Sequence, residues 1–331
     1  MIATGGTIAS RHTENGLSPQ ISGRELLDFI PDAKTFCRID VLQPFSLDST
    51  NVHGEQWLTL AGLIREHYEE YDGFVICHGT DTMAYTAAAL SYLVQHSAKP
   101  IVITGAQRPI DLPDTDARTN LLDSVRFASD ERAHDVCIVF GGMVIAGTRA
   151  KKERTKSYDA FSSINYPPVA VIQDRRIIFY IDDKGQNTAP ICFSDRINPK
   201  VFLYRMIPGS DGSVLDVLMD KYDALIIESF GVGGIPDYGD GSFREAIRKW
   251  TSAGKPVVMA TQVPNEGSDM SVYEVGHAVK NAYHIPESYD MTLEAVIAKT
   301  MWILGQTRDR KKFREMFYIS VNHDLLFIPE M

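Results

Sequence analysis

The stretch Phe74-Val75-Ile76-Cys77, followed by His78-Gly79-Thr80-Asp81-Thr82 and then Met83-Ala84-Tyr85-Thr86-Ala87-Ala88-Ala89-Leu90, constrains the fold more than any other. Four consecutive apolar residues suit a strand buried on both faces, as in a parallel sheet. Small polar residues end the run, and a helix-forming segment takes over. In open α/β sheets, ligands sit beyond the carboxyl ends of the strands, where helix N-termini offer unpaired N–H groups. Four of the five polar residues carry a side chain that can donate or accept a proton. The stretch reads as half of a site.

The same rhythm recurs along the chain. Met1-Ile2-Ala3 leads into Thr4-Gly5-Gly6-Thr7-Ile8-Ala9-Ser10, a short strand and a tight turn whose paired glycines allow close backbone approach. That strand is short, as if a few upstream residues are absent from this chain. Arg11 to Ser22 is polar and rich in turn formers, so a mobile loop is expected there, placed where a lid would be. Ser22 and Glu25 then form a capping-box pattern. Arg38 to Leu42 reads as a second strand, ending in the polar cluster Asp48-Ser49-Thr50-Asn51. A helix from Gly54 to Glu70 follows, apolar at Trp57, Leu60, Leu63 and Ile64. Pro100 to Thr104 is a strand running into Gly105-Ala106-Gln107-Arg108-Pro109 and the helix Asp116 to Ala128. Gly141-Gly142 between two apolar runs signals a hairpin.

Strand, polar turn and helix in repetition imply a mostly parallel sheet with helices on both faces. From Val169 the pattern loosens, and the polar turn Asp182 to Thr188 precedes a linker-like stretch. A second α/β set opens at Val201 to Met206, continues at Ala224 to Ile227 and Pro256 to Ala260, and closes with helices at Thr292 to Leu304 and Arg308 to Met316. At about 150 residues per domain, 331 residues suit two. The expected division is an N-terminal domain over 1–188, a linker over 189–200 and a smaller C-terminal α/β domain over 201–331.

Several functions lose their support. A net charge of −10 argues against general nucleic-acid binding, which needs clustered Lys and Arg. Cys37, Cys77, Cys137 and Cys192 are scattered without a C-x-x-C, so free thiols in a reducing compartment are expected rather than disulfides or zinc. No apolar stretch reaches the ~18 residues of a membrane span, and no signal peptide precedes the first strand; the expected location is cytoplasmic. Gly231-Val232-Gly233-Gly234-Ile235-Pro236 begins like a dinucleotide fingerprint but ends in proline. Phosphate-loop, H-E-x-x-H and G-x-S-x-G patterns are missing.

What remains is a set of strand-end turns rich in hydroxyls and carboxylates: Thr4/Thr7, Asp48/Ser49/Thr50, Thr80/Asp81/Thr82 and Thr148, followed by Lys151-Lys152. Any one cluster could simply cap a helix. Together with a lysine, they suit nucleophilic attack on an acyl carbon. A threonine hydroxyl needs a neighbouring base, and a lysine serves if desolvation keeps it neutral, whereas an adjacent Asp pushes it the other way.

Met1-Ile2-Ala3-Thr4-Gly5-Gly6-Thr7-Ile8-Ala9 and Gly73 to Met83 closely resemble the two signature stretches of the bacterial-type L-asparaginase/glutaminase family. The resemblance continues through Leu47-Asp48-Ser49-Thr50, Gly105 to Pro109, Arg149-Ala150-Lys151-Lys152, Asp159-Ala160-Phe161, Gly231-Val232-Gly233 and Met291 to Ala295, nearly the whole chain. The last two stretches look more like the cytoplasmic, type I members. The fold implied is α/β, with a larger flavodoxin-like, mostly parallel sheet and a smaller Rossmann-like C-terminal domain. The activity implied is hydrolysis of L-asparagine to L-aspartate and ammonia, with no metal or organic cofactor. Thr7 would be the nucleophile that forms an aspartyl ester. Thr80, Asp81 and Lys152 would form a second set that relays protons; Lys152 rather than Lys151 matches the family's Arg149-x-x-Lys152 spacing. Asp48, Ser49, Thr50, Thr80, Asp81 and Ala106 would bind substrate, and His78 becomes a structural residue. The implied assembly is a homodimer or homotetramer with active sites near subunit contacts.

One departure stands out. Family members commonly place a Tyr on the lid against the nucleophile, and the residue after Asn15-Gly16 here is Leu17. Thr7 is then activated by another group, or through a network shared with Lys152. The alternatives are a broader glutaminase-asparaginase, an ammonia-supplying subunit of a tRNA-dependent amidotransferase, a non-catalytic amino-acid sensor and, on fold alone, a flavodoxin-like or dinucleotide-binding protein.

Overall fold

Short, fully buried apolar runs build the first sheet, and polar turns end them on one side. The computed structural model describes residues 1–14, 16–185, 189–236 and 241–326. The chain divides into two units, Met1–Asp195 and Arg196–Met331. In chain order the first unit contains β1 (Ile2–Ala3), β2 (Ser10–Thr13), β3 (Gly16–Pro19), α1 (Gly23–Asp28), α2 (Gly54–Glu66), β4 (Phe74–Cys77), α3 (Met83–Leu93), β5 (Val94–Gln95) and β6 (Ile101–Thr104). It continues with α4 (Ala117–Ala128), β7 (Val136–Phe140), β8 (Met143–Ala146), β9 (Ala150–Lys152), β10 (Phe161–Ser163), β11 (Ala170–Gln173), β12 (Arg176–Phe179) and β13 (Cys192–Phe193).

Among the described residues, seven strands form one sheet in the order β1-β4-β6-β7-β8-β11-β12. The first four run parallel, and β8, β11 and β12 extend the sheet in antiparallel fashion. Side chains alternate across the strands, so Val75, Cys77, Val102, Cys137 and Val139 share one face. They join Ala117, Leu121 and Val125 of α4 in a single buried cluster. Helix α3 is buried almost all round, because it packs between the sheet and α2, whose Trp57, Leu60 and Ile64 point inward. Each such large apolar side chain contributes roughly 1.5–3 kcal/mol on burial. The Gly141-Gly142 hairpin forms as expected, with both glycines at positive φ (58° and 76°), the requirement of a type I′ turn.

Three expectations change. Arg11 to Ser22 is a β2–β3 hairpin rather than a loop, with His12 opposite Leu17. The missed signal is Asn-Gly, a strong hairpin dipeptide hidden by the polarity around it; Asn15 itself lies outside the described residues. Ala9 O accepts both Gln20 N (2.9 Å) and Ile21 N (2.8 Å), which closes the hairpin at its base. The capping box at Ser22 and Glu25 starts α1 directly afterwards. Arg38 to Leu42 is no strand; a single parallel bridge joins Leu42 to Ile2, since β1 offers only two residues to pair with. Beyond Val169, β11 and β12 pair at the sheet edge, with Ala170 and Ile172 of β11 buried and β12 half-exposed. Within the stretch expected as a linker, Cys192–Phe193 pairs with β5 and is sheet. The end of the polar turn, residues 186–188, lies outside the described residues.

The second unit contains β14 (Val201–Arg205), α5 (Val214–Leu218), β15 (Ala224–Ser229), α6 (Ser242–Ser252), β16 (Val257–Thr261), α7 (Glu274–Tyr283), α8 (Leu293–Gln306) and α9 (Arg310–Phe317). Its three strands are parallel, in the order β14-β15-β16. Leu225, Ile227, Val257 and Met259 pack against Phe243, Ile247 and Trp250 of α6. The α/β expectation therefore holds for both units. Sequence alone missed α5, α6 and α7. Among the described residues no helix is long and apolar enough to cross a membrane.

Candidate active site

The carboxyl ends of β1, β4 and β6 carry the turns 4–7, 78–82 and 105–109, and glycine lets these turns touch. A β-carbon on Gly6, which sits at φ 77°, would overlap the backbone of Gly79. One on Gly79 would lie 2.7 Å from both Cβ and Oγ of Ser49, and one on Gly105 would overlap the His78 carbonyl. Gly6 N also donates to Leu47 O (2.9 Å), and Thr82 Oγ1 donates to Ser49 O (2.7 Å). Close backbone approach at the glycines, with the Thr82 and Ser49 side chains, thus gathers Thr7, Ser49, Thr80 and Ala106 at one end of the sheet.

Thr7 opens a single 3-10 turn, Thr7–Ala9, and is half-buried. Ser10 Oγ donates to Gly6 O (2.9 Å), tying the start of the hairpin to the glycine before Thr7. Among the described residues, neither Thr7 Oγ1 nor the Ser49 hydroxyl has a hydrogen-bond partner. Asp48 folds back on its own turn, accepting from Thr50 N (2.9 Å) and Thr50 Oγ1 (2.8 Å), so the Thr50 hydroxyl proton is already engaged. Leu17 is 46% exposed.

Lys152 reaches the same place from a different direction. It ends β9, where Phe161 of β10 is its cross-strand partner. Its Nζ donates to Thr80 Oγ1 (2.7 Å) and to Asp81 Oδ1 (2.6 Å). The lysine side chain is only 15% exposed, whereas that of Asp81 is 59% exposed. A cation is thereby held against a threonine hydroxyl with one carboxylate beside it.

His78 takes no part in this contact. Its Nδ1 donates to Gly79 O (2.7 Å), because a carbonyl can only accept. Its Nε2 accepts from Thr86 Oγ1 (3.1 Å), and Thr86 in turn accepts from Trp57 Nε1 (3.0 Å). The ring is completely buried, and burial pushes its pKa down to about 4, although the Gly79 hydrogen bond opposes the shift. His78 braces the turn as a neutral imidazole. Because the folded value lies below the ordinary 6.5, the unfolded chain binds the proton first as pH falls. Stability from this residue is complete above about pH 6.5 and declines toward pH 4, with about 2 kcal/mol lost between pH 7 and pH 5. Urea unfolding at those two pH values should show that loss in the unaltered chain and not in His78→Asn; equal losses would exclude His78 as its source.

Sequence reasoning assigned no role to Gln107, Asp116 or Asn120. Gln107 Oε1 accepts from Thr80 Oγ1 (3.3 Å), and its Nε2 donates to Arg154 O (3.2 Å) and Ser157 O (3.1 Å). Asp116 accepts from Gln107 N (2.9 Å) and Arg108 N (3.1 Å), which pins the turn after β6. Asn120 bridges Asp116 and Gly105 O, and accepts from Gly141 N. The available signal was an Asp at the cap of α4 and an Asn one turn into it, after the quoted Gly105 to Pro109 motif. A cavity of about 870 Å³ lies at the opposite end of the strands, lined by Met1, Asp40, Gly73 and Pro100, and shares no residue with these turns.

Comparison with known proteins gives the family. The family described as "Asparaginase, N-terminal" matches residues 1–184, and "Glutaminase/Asparaginase C-terminal domain" matches 200–317. The chain belongs to the asparaginase family. An L-asparaginase of Thermococcus kodakarensis is 36% identical over 317 residues, covering 96% of this chain and 95% of that protein. The solved structure of the thermostable L-asparaginase from that organism superposes with a TM-score of 0.90 at 34% identity, covering 99% of this chain and 98% of that one. A glutamyl-tRNA(Gln) amidotransferase component of Pyrococcus abyssi is 33% identical over 96% of this chain and 74% of its own length. The structure of a probable cytoplasmic L-asparaginase from Campylobacter jejuni superposes at 0.80 with 25% identity, covering 96% and 97%. Membership of the asparaginase family accounts for the two-unit α/β architecture.

Proposed function

We propose that this chain is an L-asparagine amidohydrolase that releases L-aspartate and ammonia through a threonine ester. One observation carries the reading: Lys152 Nζ sits 2.7 Å from Thr80 Oγ1 and 2.6 Å from Asp81 Oδ1, on a turn whose Gly79 touches the glycine preceding Thr7. Thr7 Oγ1 attacks the side-chain amide carbon, and the carbon–nitrogen bond breaks after the nitrogen has been protonated. Ammonia leaves and an aspartyl ester remains on Thr7. Water then attacks that ester, returning the hydroxyl to Thr7. Thr80 and Lys152 relay protons to and from the reacting groups, a contribution worth about 10²–10⁴-fold. With the lid tyrosine replaced by Leu17, activation of Thr7 falls to this network.

Substrate binding follows from charge. The α-ammonium of a free amino acid needs a carboxylate, supplied by Asp81. Its α-carboxylate needs neutral donors, supplied by the Ser49 hydroxyl and the Ser49 N–H, the Thr50 N–H being engaged by Asp48. Asp48 and Thr50 shape that turn, and Ala106 lines the pocket with its backbone. The developing oxyanion needs aimed N–H donors, which the glycine turns can provide. The same reading includes a homodimer or homotetramer in the cytoplasm, and sedimentation of the purified protein measures the assembly.

A second reading, an ammonia-supplying subunit of a tRNA-dependent amidotransferase, is favoured by the amidotransferase relative. Ammonia release from asparagine and glutamine by the purified chain separates the two. The asparaginase reading expects kcat/KM for asparagine to exceed that for glutamine, which is one methylene longer, by roughly 10–200-fold. No turnover of free asparagine would overturn it.

A further inference from the structure

We infer that Gln107 is a positioning residue that sets the direction of the Thr80 hydroxyl and so competes with Lys152 for its proton. This deepens the amidohydrolase reading and rests on it. The Thr80 proton points at Gln107 Oε1, which accepts it at 3.3 Å. The oxygen of Thr80 is then left to accept from Lys152 Nζ at 2.7 Å. Gln107 cannot swap its amide ends easily, because Nε2 is committed to Arg154 O and Ser157 O, in the loop that directly follows Lys152. Its backbone is held as well, by the Asp116 carboxylate. One residue therefore reads both members of the Lys152–Thr80 contact: Thr80 through its oxygen, and the loop after Lys152 through its nitrogen.

A neutral lysine acting as a base must accept the proton of Thr80. That proton first has to leave Gln107 and turn toward Nζ. Gln107 thus competes with Lys152 for a single proton. The charged and titratable groups around Lys152 are few. Asp81 touches it; Lys151 precedes it; Glu153 and Arg154 follow it; Asp159 lies ahead of β10; and α3, packed on β9, carries Tyr85. Glu153 is engaged by the Ser162 hydroxyl, and Arg154 pairs with Asp159 at 3.4 Å. Gln107 is the uncharged competitor in this set, and so can be altered without breaking an ion pair.

The test is the pH dependence of kcat/KM for asparagine in the unaltered enzyme, Gln107→Met and Gln107→Glu. Methionine fills the space but takes no proton, so the limb on which activity rises with pH should move down by about half a unit to one unit, the equivalent of one hydrogen bond. Glutamate adds negative charge beside Thr80, and the same limb should move up by at least as much. Thermal melts identify the folded variants, and Gln107→Met alone decides if the glutamate variant does not fold. A loss of activity with an unmoved limb, or a rise in KM alone, would mean that Gln107 only anchors the 154–157 loop, and would overturn the proposal. An unaltered chain that releases no ammonia would overturn the amidohydrolase reading first.

Discussion

Thr7→Ala should lower kcat for asparagine by on the order of 10⁴–10⁶-fold, the scale on which hydrolases lose activity when the nucleophile is removed. The physical reason is that the other groups of the site can polarise the amide and move protons, but cannot supply the covalent bond. Water attacking directly would have to do so without the positioning that a side chain provides. The variant should fold normally. The Thr7 hydroxyl engages no described residue, and the turn around it is held by Gly6 N, Gly6 O and Ala9 N instead. Ammonia release under single-turnover conditions, with a melt on the same sample, measures both. A quenched sample of the unaltered enzyme should carry an aspartyl adduct on the peptide containing Thr7. Activity of the alanine variant within tenfold of the parent would remove Thr7 from the role, and an adduct on Thr80 would reverse the assignment of the two threonines.

Lys152→Met should cost about 10²–10⁴-fold in kcat, the range for losing one positioned proton-transfer group. Its effect on stability should be slight, because Asp81 is mostly exposed and water can take over the solvation of its carboxylate. The measurement is a pair: kcat/KM over a range of pH, and a urea midpoint. A slow enzyme of unchanged stability, whose residual activity no longer follows the parental pH profile, is the expected result. Retention of parental kcat would leave the 2.6 Å contact with Asp81 as a surface ion pair with no chemical role. Lys151→Met, one position earlier on β9, is the matched control, and should keep most of the activity.

Much of the frame was legible because parallel strands announce themselves. Phe74 to Cys77, Ile101 to Thr104 and Val136 to Phe140 are buried on both faces, so each reads as an unbroken apolar run. The clusters at 7 and 80–82 were legible for the complementary reason, that polar residues stand shortly after such a run; the 48–50 cluster directly follows no described strand and was legible from its own Asp-Ser-Thr run. What sequence obscured was partial burial and distance. The β2–β3 hairpin carries polar residues on both faces, and β11 and β12 alternate in burial while their sequences, AVIQ and RIIF, do not alternate in polarity. Residues 38–42 looked like a strand, but the backbone pairing depends on how much of β1 is there to pair with. Lys152 could be chosen over Lys151 only by resemblance, since its contact spans 72 residues of chain. Gln107 stood in plain view within a quoted motif, yet its role depends on residues 27, 47 and 50 positions away.

The hairpin after Thr7 is clamped at its base: Ala9 O binds both Gln20 N and Ile21 N, and Ser10 Oγ holds Gly6 O. Such a clamp fixes the base of the hairpin to the turn that contains Thr7 and to the glycine before it, so the two move as one piece. Substitutions at Thr13 and Gly16, the last paired residues of the hairpin, leave the contacts at its base in place. The clamp also sets a boundary for engineering. A graft that keeps Ala9 and Gln20 leaves the turn that presents the hydroxyl as it is, whereas one that crosses either would disturb it.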